Sequence, residues 1–242
     1  IIHKRNLTSV SNKPLATRTY TGSAQKPLPL LNYGSVTLKN GRDYTLSYAH
    51  NVNSGIAKVI VKGKGNYTGS MTKTFKIKKR DIATVSMNKL SNQSYSGKAI
   101  QPNVTLTYGK TVLKKNRDYT IQYGTNKKCG KATLKIIGKG GYGGSMCKTF
   151  TIVPKQPLKL HLTTSKHKAI NVSYKKAVGA SGVQIAYCGS NHWNYNQTSR
   201  NCYQLHTLSS GKQYQIKVRS YVTIANVRHY GSWGKVQLVK IK

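Results

Sequence analysis

Short runs in which apolar and polar residues alternate make up most of this chain, and Gly, Asn and Pro separate them. In residues 57–62 the odd positions are apolar, while lysines stand at both ends of the opposite phase; residues 44–48 alternate in the same way. Successive side chains of a strand point to opposite faces of a sheet, so each run predicts a strand with one buried face. No part of residues 4–78 keeps a helical period. The pattern therefore predicts an all-β fold.

An internal repeat organises the first two thirds of the chain. Several segments return 75 residues later, and the offset never changes between them. A constant offset indicates two copies of one structural unit. The recurring segments are 41–48 as 116–123, 63–71 as 138–146, and 73–75 as 148–150.

The repeat also predicts the domain organisation. The two copies occupy residues 4–78 and 79–153, and residues 1–3 align with the end of a copy, because Ile2 stands where Ile77 ends the last strand. We therefore expect residues 1–3 to be the tail of a preceding repeat in a longer secreted protein. A stiff boundary follows at Pro154-Lys155-Gln156-Pro157, and residues 154–242 no longer follow the 75-residue register. The third domain has strand-like runs at 158–163, 169–174, 183–187 and 214–222.

The motif order of the two copies resembles the bacterial immunoglobulin-like repeats of Gram-positive surface and secreted proteins. It consists of Tyr-Thr-Gly at 20–22 (Tyr-Ser-Gly at 95–97), Asp-Tyr-Thr at 43–45, and Gly-Lys-Gly-Asn-Tyr-Thr-Gly at 63–69 before a Thr-rich last strand. The resemblance implies small β-sandwiches in tandem, an extracellular location and no catalysis. The near absence of acidic residues departs from that family and speaks against family roles that need carboxylates, such as calcium binding.

Residues 155–242 resemble a fibronectin type III domain. Residues 208–218 combine Leu, Gly and Tyr214 with alternating apolar positions, as in the tyrosine-corner segment of that family. The segment Tyr-Gly-Ser-Trp-Gly at 230–234 also fits. Tyr174 stands where the family often has a tryptophan. The whole chain is thus predicted to form three consecutive small β-sandwiches, two immunoglobulin-like and one of the fibronectin type III kind.

The charge of the chain points to its class of partner. Forty-one Lys and Arg face three Asp and Glu, which gives a formal net charge of +38. Most of the cations are lysines, hydrated point charges suited to loose association with a polyanion rather than to base-specific reading. Such a chain should bind nucleic acid nonspecifically, teichoic acid, sulfated glycans or anionic membranes. No apolar run approaches the roughly 20 residues of a transmembrane helix.

Four cysteines form two local pairs along the sequence, Cys129 with Cys147 and Cys188 with Cys202. No zinc-site spacing is present, and local pairing keeps each bridge within one module. We expect two disulfides, and hence an oxidising, extracellular setting. The alternative is four reduced cysteines that serve as core filler.

Catalytic and metal-binding constellations are not evident in the sequence. Asp43 and Asp118 occupy equivalent positions between a turn and a strand, where a carboxylate can accept backbone N–H groups; a structural turn role is favoured over a catalytic or metal role. We therefore expect no enzyme activity, no metal and no cofactor. The histidines show neither triad nor ligand spacing; they are His3, His50, His161, His167, His192, His206 and His229.

Residues 189–201 form the candidate contact loop, which a Cys188–Cys202 bridge would close at its base. Trp193, Tyr195 and Arg200 belong to residue types enriched at binding hot spots. The alternative is that this ring only packs over the end of the sandwich.

Two hypotheses of function follow from these patterns. The first is a non-enzymatic, extracellular bacterial spacer and adhesive that binds polyanionic cell-wall or host glycans through its lysine-rich surface. The second is a secreted fragment whose fibronectin type III domain acts as a signalling ligand for a host cell-surface receptor.

Overall fold

The computed structural model describes residues 3–165 and 168–241. It is built from strands, with two short 3-10 helices at Leu7–Ser9 and Ile82–Thr84. The predicted all-β fold is confirmed. Ile2 and His167 lie outside the described residues. The prediction that residues 1–3 are the tail of a preceding repeat depends on Ile2.

The first copy contains nine strands arranged in two facing sheets and a short parallel pair. The sheet orders are β2-β4-β5 and β3-β9-β7-β6, and β1 pairs with β8. The strands are β1 Arg5–Asn6, β2 Ser11–Asn12, β3 Arg18–Thr19, β4 Leu31–Tyr33, β5 Val36–Thr37, β6 Tyr44–Ala49, β7 Gly55–Gly63, β8 Tyr67–Thr68 and β9 Ser70–Lys78.

The core of the first copy lies between its two sheets. As the alternation predicted, Ala57, Val59 and Val61 of β7 are fully buried, and Leu31 of the opposite sheet packs in the same cluster as Phe75. Burial of one face on each sheet is what makes the copy a sandwich.

The second copy repeats this plan. Its sheets have the orders β11-β13-β14 and β12-β18-β16-β15, and β10 pairs with β17. Each strand begins 75 residues after its counterpart, which confirms the repeat. The strands are β10 Arg80–Asp81, β11 Ser86–Met87, β12 Gln93–Ser94, β13 Leu106–Tyr108, β14 Thr111–Val112, β15 Tyr119–Tyr123, β16 Gly130–Gly138, β17 Tyr142–Gly143 and β18 Ser145–Val153.

The third region is a fibronectin type III-like sandwich. Sheet β19-β20-β23 faces a sheet with the order β22-β21-β24, in which β25 and β26 both pair with β24. The Tyr214 hydroxyl accepts the Ser209 N–H at 3.1 Å, which is the contact of a tyrosine corner. The strands are β19 Leu158–Ser165, β20 Ala169–Lys175, β21 Gly182–Cys188, β22 Asn194–Thr198, β23 Cys202–Leu205, β24 Gln213–Ile224, β25 Val227–Tyr230 and β26 Gln237–Lys240.

The described chain separates into two compact units. One unit consists of the described residues up to position 87 with residues 105–122 and 136–146; the other holds residues 88–104, 123–135 and the described residues from 147 onward. This division falls inside the second copy, so the domain boundaries at 79 and 154 stay predictions from the repeat.

Candidate functional site

Each repeat ties its turn together with one aspartate. The Lys39 N–H donates to Asp43 Oδ2 at 2.8 Å, and the Arg42 guanidinium donates to both carboxylate oxygens at 3.0 and 2.8 Å. These hydrogen bonds, that from Arg42 foremost, hold the pKa of Asp43 below its ordinary value. The carboxylate therefore has its partners within its own turn.

The second copy reproduces this arrangement around Asp118, whose side chain is only 5% exposed. The Lys114 N–H donates at 2.7 Å, and Arg117 donates at 2.9 and 2.7 Å. Burial raises the pKa of Asp118, but the hydrogen bonds from Arg117 and Lys114 outweigh it, so the pKa lies below its ordinary value. These contacts are the ones expected of a turn anchor.

The third acid, Asp81, caps a helix. Asp81 lies at the junction of the copies, and its Oδ1 accepts the Ala83 N–H at 3.0 Å and caps the 3-10 helix Ile82–Thr84. The neighbouring Arg80 contacts the first copy, because its Nε donates to the Tyr20 carbonyl at 2.9 Å.

All four cysteines are free thiols, so the two predicted disulfides are absent. For Cys129 and Cys147 the strand register explains this. Their counterparts in the first copy are Ser54 and Thr72, and Thr72 lies opposite Ile60, six residues along β7 from Ser54. Six residues of strand span roughly 20 Å, whereas bridged Cα atoms lie within about 7 Å of each other. Since β16 and β18 keep the same bounds 75 residues on, the second copy inherits that separation.

Cys188 and Cys202 lie at opposite ends of the third sandwich. Cys188 ends β21 and lies opposite Gln215, whereas Cys202 begins β23 in the other sheet, opposite Ser173. Strand β22 runs back along β21 before the chain reaches Cys202. The thiols are therefore separated by about the length of a strand as well as by the sheet spacing. The inference from cysteine pairing to an oxidising compartment is lost with the bridges.

We expect thiol titration of the unfolded chain without reductant to count four thiols. In the folded chain the exposed Cys147 and Cys202 should react first, and the buried Cys188 only upon unfolding. Non-reducing peptide mass spectrometry checks the pairing: a linked Cys129–Cys147 or Cys188–Cys202 peptide would contradict the register described above.

The middle of the predicted contact loop is a strand. Residues 194–198 form β22, paired along β21, rather than a loop closed at its base. Tyr195 is 54% exposed, and Trp193 is half-buried. Arg200 follows β22 in a turn, where its N–H donates to Thr198 Oγ1 at 3.0 Å. Within the described part of the chain, Arg200 stacks on no aromatic ring, so the three predicted contact residues do not form one cluster.

Trp193 and Tyr195 instead join a cation–aromatic ladder on the outer face of this sheet, made with Lys217, Trp233, Arg219 and Tyr230. Lys217 Nζ lies 4.2 Å from the Trp193 ring centroid and 5.1 Å from that of Trp233. The Tyr195 and Trp233 ring centroids are 6.2 Å apart.

Arg219 continues the ladder. Its guanidinium carbon lies 4.2 Å from the Trp233 ring centroid and 4.1 Å from that of Tyr230. Its Nε also donates to the buried Gln184 at 2.8 Å, and burial lowers the pKa of Arg219. Sequence reasoning missed both cations, although Lys217 and Arg219 stand two residues apart in one phase of β24, which places them on one face.

The first copy exposes a lysine face on its larger sheet. Lys58 and Lys62 of β7 and Lys76 of β9 take the outward phase opposite Ala57, Val59 and Phe75 and are exposed. Among the described residues the two ion pairs are Arg42–Asp43 and Arg117–Asp118, so no described lysine is paired with a carboxylate. The lysine face therefore presents unneutralised charge to solvent.

One lysine departs from this rule. Lys73 takes the inward phase of β9 and is buried. Its Nζ donates to Asn12 Oδ1 at 2.7 Å and to the Lys13 carbonyl. Burial lowers the pKa of Lys73. The sequence pattern did not predict this burial, because a lysine in a strand is ordinarily expected on the exposed face.

Neither a metal cluster nor a membrane-spanning helix is found in the part of the chain that the structure describes. Within residues 3–165 and 168–241, no three His, Cys, Asp or Glu side chains are placed to hold a metal ion. In the same residues, no helix has the length and apolar character needed to cross a bilayer.

Comparison with known proteins gives structural likenesses only. No protein-family model and no curated protein sequence matches the chain. A cytokine receptor complex matches at 14% identity over 57% of this chain and 90% of that one, with a TM-score of 0.43. A two-domain fibronectin type III segment of chicken tenascin matches at 13% identity over 82% and 98%, TM-score 0.38. The FN1–FN3 domains of chicken CNTN1 match at 11% identity over 79% and 78%, TM-score 0.34. Strand order and the tyrosine corner define the fold of the third sandwich independently of these likenesses.

Proposed function

We propose that this chain is a non-enzymatic, extracellular bacterial spacer and adhesive that binds polyanionic glycans or cell-wall polymers through its lysine-rich surface. On this proposal residues 4–78 and 79–153 are bacterial immunoglobulin-like repeats and residues 154–242 a fibronectin type III domain. The observation that carries it is the pairing of the acids: Asp43 and Asp118 are paired with arginines of their own turns, which leaves the described lysines without carboxylate partners.

The arrangement of these lysines suits a linear polymer. Lys58 and Lys62 are four residues apart on β7, about 13 Å along the strand, and Lys76 lies opposite Ile56 on β9. The second copy has Lys131 and Lys135 exposed in a similar row on β16. Each row of ammonium groups along its own strand can follow a chain of sulfates, phosphates or carboxylates without reading its sequence.

The cation–aromatic ladder favours a second candidate function. Tyr195 and Trp193 present aromatic surface beside Lys217 on the third sandwich, which is the composition of a protein-binding hot spot. A secreted fragment could use this face as a signalling ligand for a host cell-surface receptor.

A binding experiment with two sets of variants separates these functions. The lysine variant carries Lys58→Gln, Lys62→Gln and Lys76→Gln; the aromatic variant carries Trp193→Ala and Tyr195→Ala. We expect the lysine variant to lose heparin and cell binding by about tenfold or more, while the aromatic variant keeps both. Saturable cell binding that survives in the lysine variant and is lost in the aromatic variant would replace the adhesive function with the receptor ligand.

A further inference from the structure

A cleft of about 290 Å³ lies in the first compact unit, where the first copy meets the second. Its walls come from the Tyr-Thr-Gly segment and a neighbouring loop of the first copy, and from the Arg-Asp turn and the Gly-rich loop of the second. The polar side chains that line it include Tyr20, Thr21, Ser23, Asn53, Thr111 and Arg117, and the carboxylate of Asp118 lies in the same wall.

A glycine that the first copy lacks leaves room for the Tyr20 ring in the wall of this cleft. The Tyr20 ring rests on Gly141, where an added Cβ would come within 2.3 Å of the ring. Tyr20 also meets Tyr142 edge to face, with ring centroids 5.4 Å apart, and its carbonyl accepts from Arg80. In the first copy the position of Gly141 is occupied by Asn66, so the same loop has a side chain where the second copy has room for a tyrosine.

Arg117 supplies unused guanidinium N–H donors to the cleft. Its side chain is 60% exposed. It uses its Nε and one Nη2 hydrogen on Asp118, and since a guanidinium carries five N–H groups, the others remain to meet a ligand. Asp118 is the one carboxylate in the cleft wall. Its side chain is buried, is paired with Arg117 and also accepts the Lys114 N–H.

The chemistry of the walls selects the ligand. Hydroxyls, an amide and a guanidinium offer hydrogen bonds to oxygen-rich groups, and the guanidinium favours an anionic oxygen. The volume is at the lower limit of ligand sites, which run from about 300 to 1,000 Å³, so it suits a single sugar-sized unit.

We propose that this cleft binds one anionic, hydroxyl-bearing unit of a polymer, through Arg117 at the anionic group and Thr111, Ser23 and Asn53 at the hydroxyls. The proposal rests on the proposed function and deepens it, because it adds a discrete subsite to a diffuse lysine surface. A sulfated sugar and a polyol phosphate share this chemistry.

The test is an NMR titration of the ¹⁵N-labelled chain at low salt, with a sulfated disaccharide in one arm and glycerol phosphate in the other. We expect one arm or both to shift amides at Thr21, Asn53 and Thr111 in a saturable way, and the tighter ligand identifies the source. Arg117→Gln should weaken that binding by about tenfold, since a charge-assisted hydrogen bond is lost.

Matched variants guard against a folding artefact. Arg42→Gln leaves the first-copy aspartate unpaired in the same way, but Arg42 is not in the cleft wall, so binding should be unchanged. Thr111→Val keeps the shape and should weaken binding about threefold. Gly141→Asn copies the first-copy residue and should abolish binding without changing the net charge.

Two results would overturn the subsite. One is an equal loss in Arg42→Gln and Arg117→Gln; the other is no shift at the cleft in either arm. If the subsite fails while long polyanions still bind in a salt-sensitive way, the proposed function stands without it. If long polyanions also fail to bind, the proposed function is wrong as well.

Discussion

Heparin binding by this chain weakens by about a thousandfold or more when salt rises from 50 to 200 mM, on the proposed function. A polyanion holds condensed counterions, and a protein that neutralises six to ten of its charges releases them, which costs roughly 10³ to 10⁵ in affinity over this range. The chain has 41 Lys and Arg to make such contacts, and the described lysines lack carboxylate partners. Titration calorimetry or fluorescence binding at four salt concentrations measures the slope.

Neutralising the lysine face provides the control for this slope. Each lysine that contacts the polymer should make the plot of log affinity against log salt shallower by about one unit, so the triple change at Lys58, Lys62 and Lys76 should remove up to about three. Affinity that stays constant from 50 to 500 mM salt would contradict an electrostatic adhesive.

Replacing Asp118 by asparagine lowers the free energy of unfolding of the second repeat by about 3 kcal/mol, because hydrogen bonds to a charged, buried acceptor are lost. An asparagine amide has one oxygen in place of two, so it cannot accept from the Lys114 N–H and from both Arg117 donors. For a domain of this size the thermal midpoint should fall by about 10 °C or more. Hydrogen exchange at the Lys114 amide reports the same loss locally.

Asp81→Asn is the matched control for this change. The first copy already has an asparagine at the equivalent position: Asn6 Oδ1 accepts the Thr8 N–H at 3.0 Å, the same distance as from Asp81 to Ala83. Asparagine and aspartate cap helices about equally well, so stability should change by less than about 0.5 kcal/mol. If Asp118→Asn costs no more than Asp81→Asn, the turn-anchor interpretation is wrong.

The same anchors set the acid sensitivity of the fold. The pKa values of Asp43 and Asp118 are lower in the folded chain than their ordinary values. A depressed carboxyl pKa contributes stability that is present above the unfolded pKa, about 3.9 for Asp, and is lost as pH falls through the folded pKa. We expect thermal midpoints to be level from pH 7 to about 5 and to decline below about 4. In the double variant Asp43→Asn, Asp118→Asn the thermal midpoints should be lower and should change less with pH. If they fall at low pH as much as those of the unchanged chain, groups other than these two aspartates cause the acid sensitivity.

Much of the fold could be predicted because its signals are local or exactly repeated. Alternation in residues 57–62 predicts a strand with one buried face, and the structure buries Ala57, Val59 and Val61 as expected. The constant 75-residue offset predicts that every strand of the first copy recurs, and the strands of the second copy do so. Turn chemistry likewise placed Asp43 beside its own turn, since a short carboxylate reaches only nearby N–H groups.

The sequence could not predict which positions on different strands lie side by side. Cys129 and Cys147 share an outward phase on neighbouring strands, but phase gives the face and not the position along the strand. The register set by Ile60 opposite Thr72 in the first copy separates their positions by six residues. Cys188 and Cys202 are close in sequence, yet the return of the chain through β22 carries them to opposite ends of the sandwich.

The sequence by itself determined that the chain is all-β, that its first two modules are copies, and that its net charge is strongly positive. These follow from alternation, a fixed offset and composition, none of which depends on how distant segments meet. Only the tertiary structure decided which side chains share a surface. It brought Trp193, Lys217 and Trp233 together from three segments, and it placed Tyr20 on Gly141 to form the cleft beside Arg117. Such contacts join residues up to about 120 positions apart, and long-range packing rather than local preference fixes them.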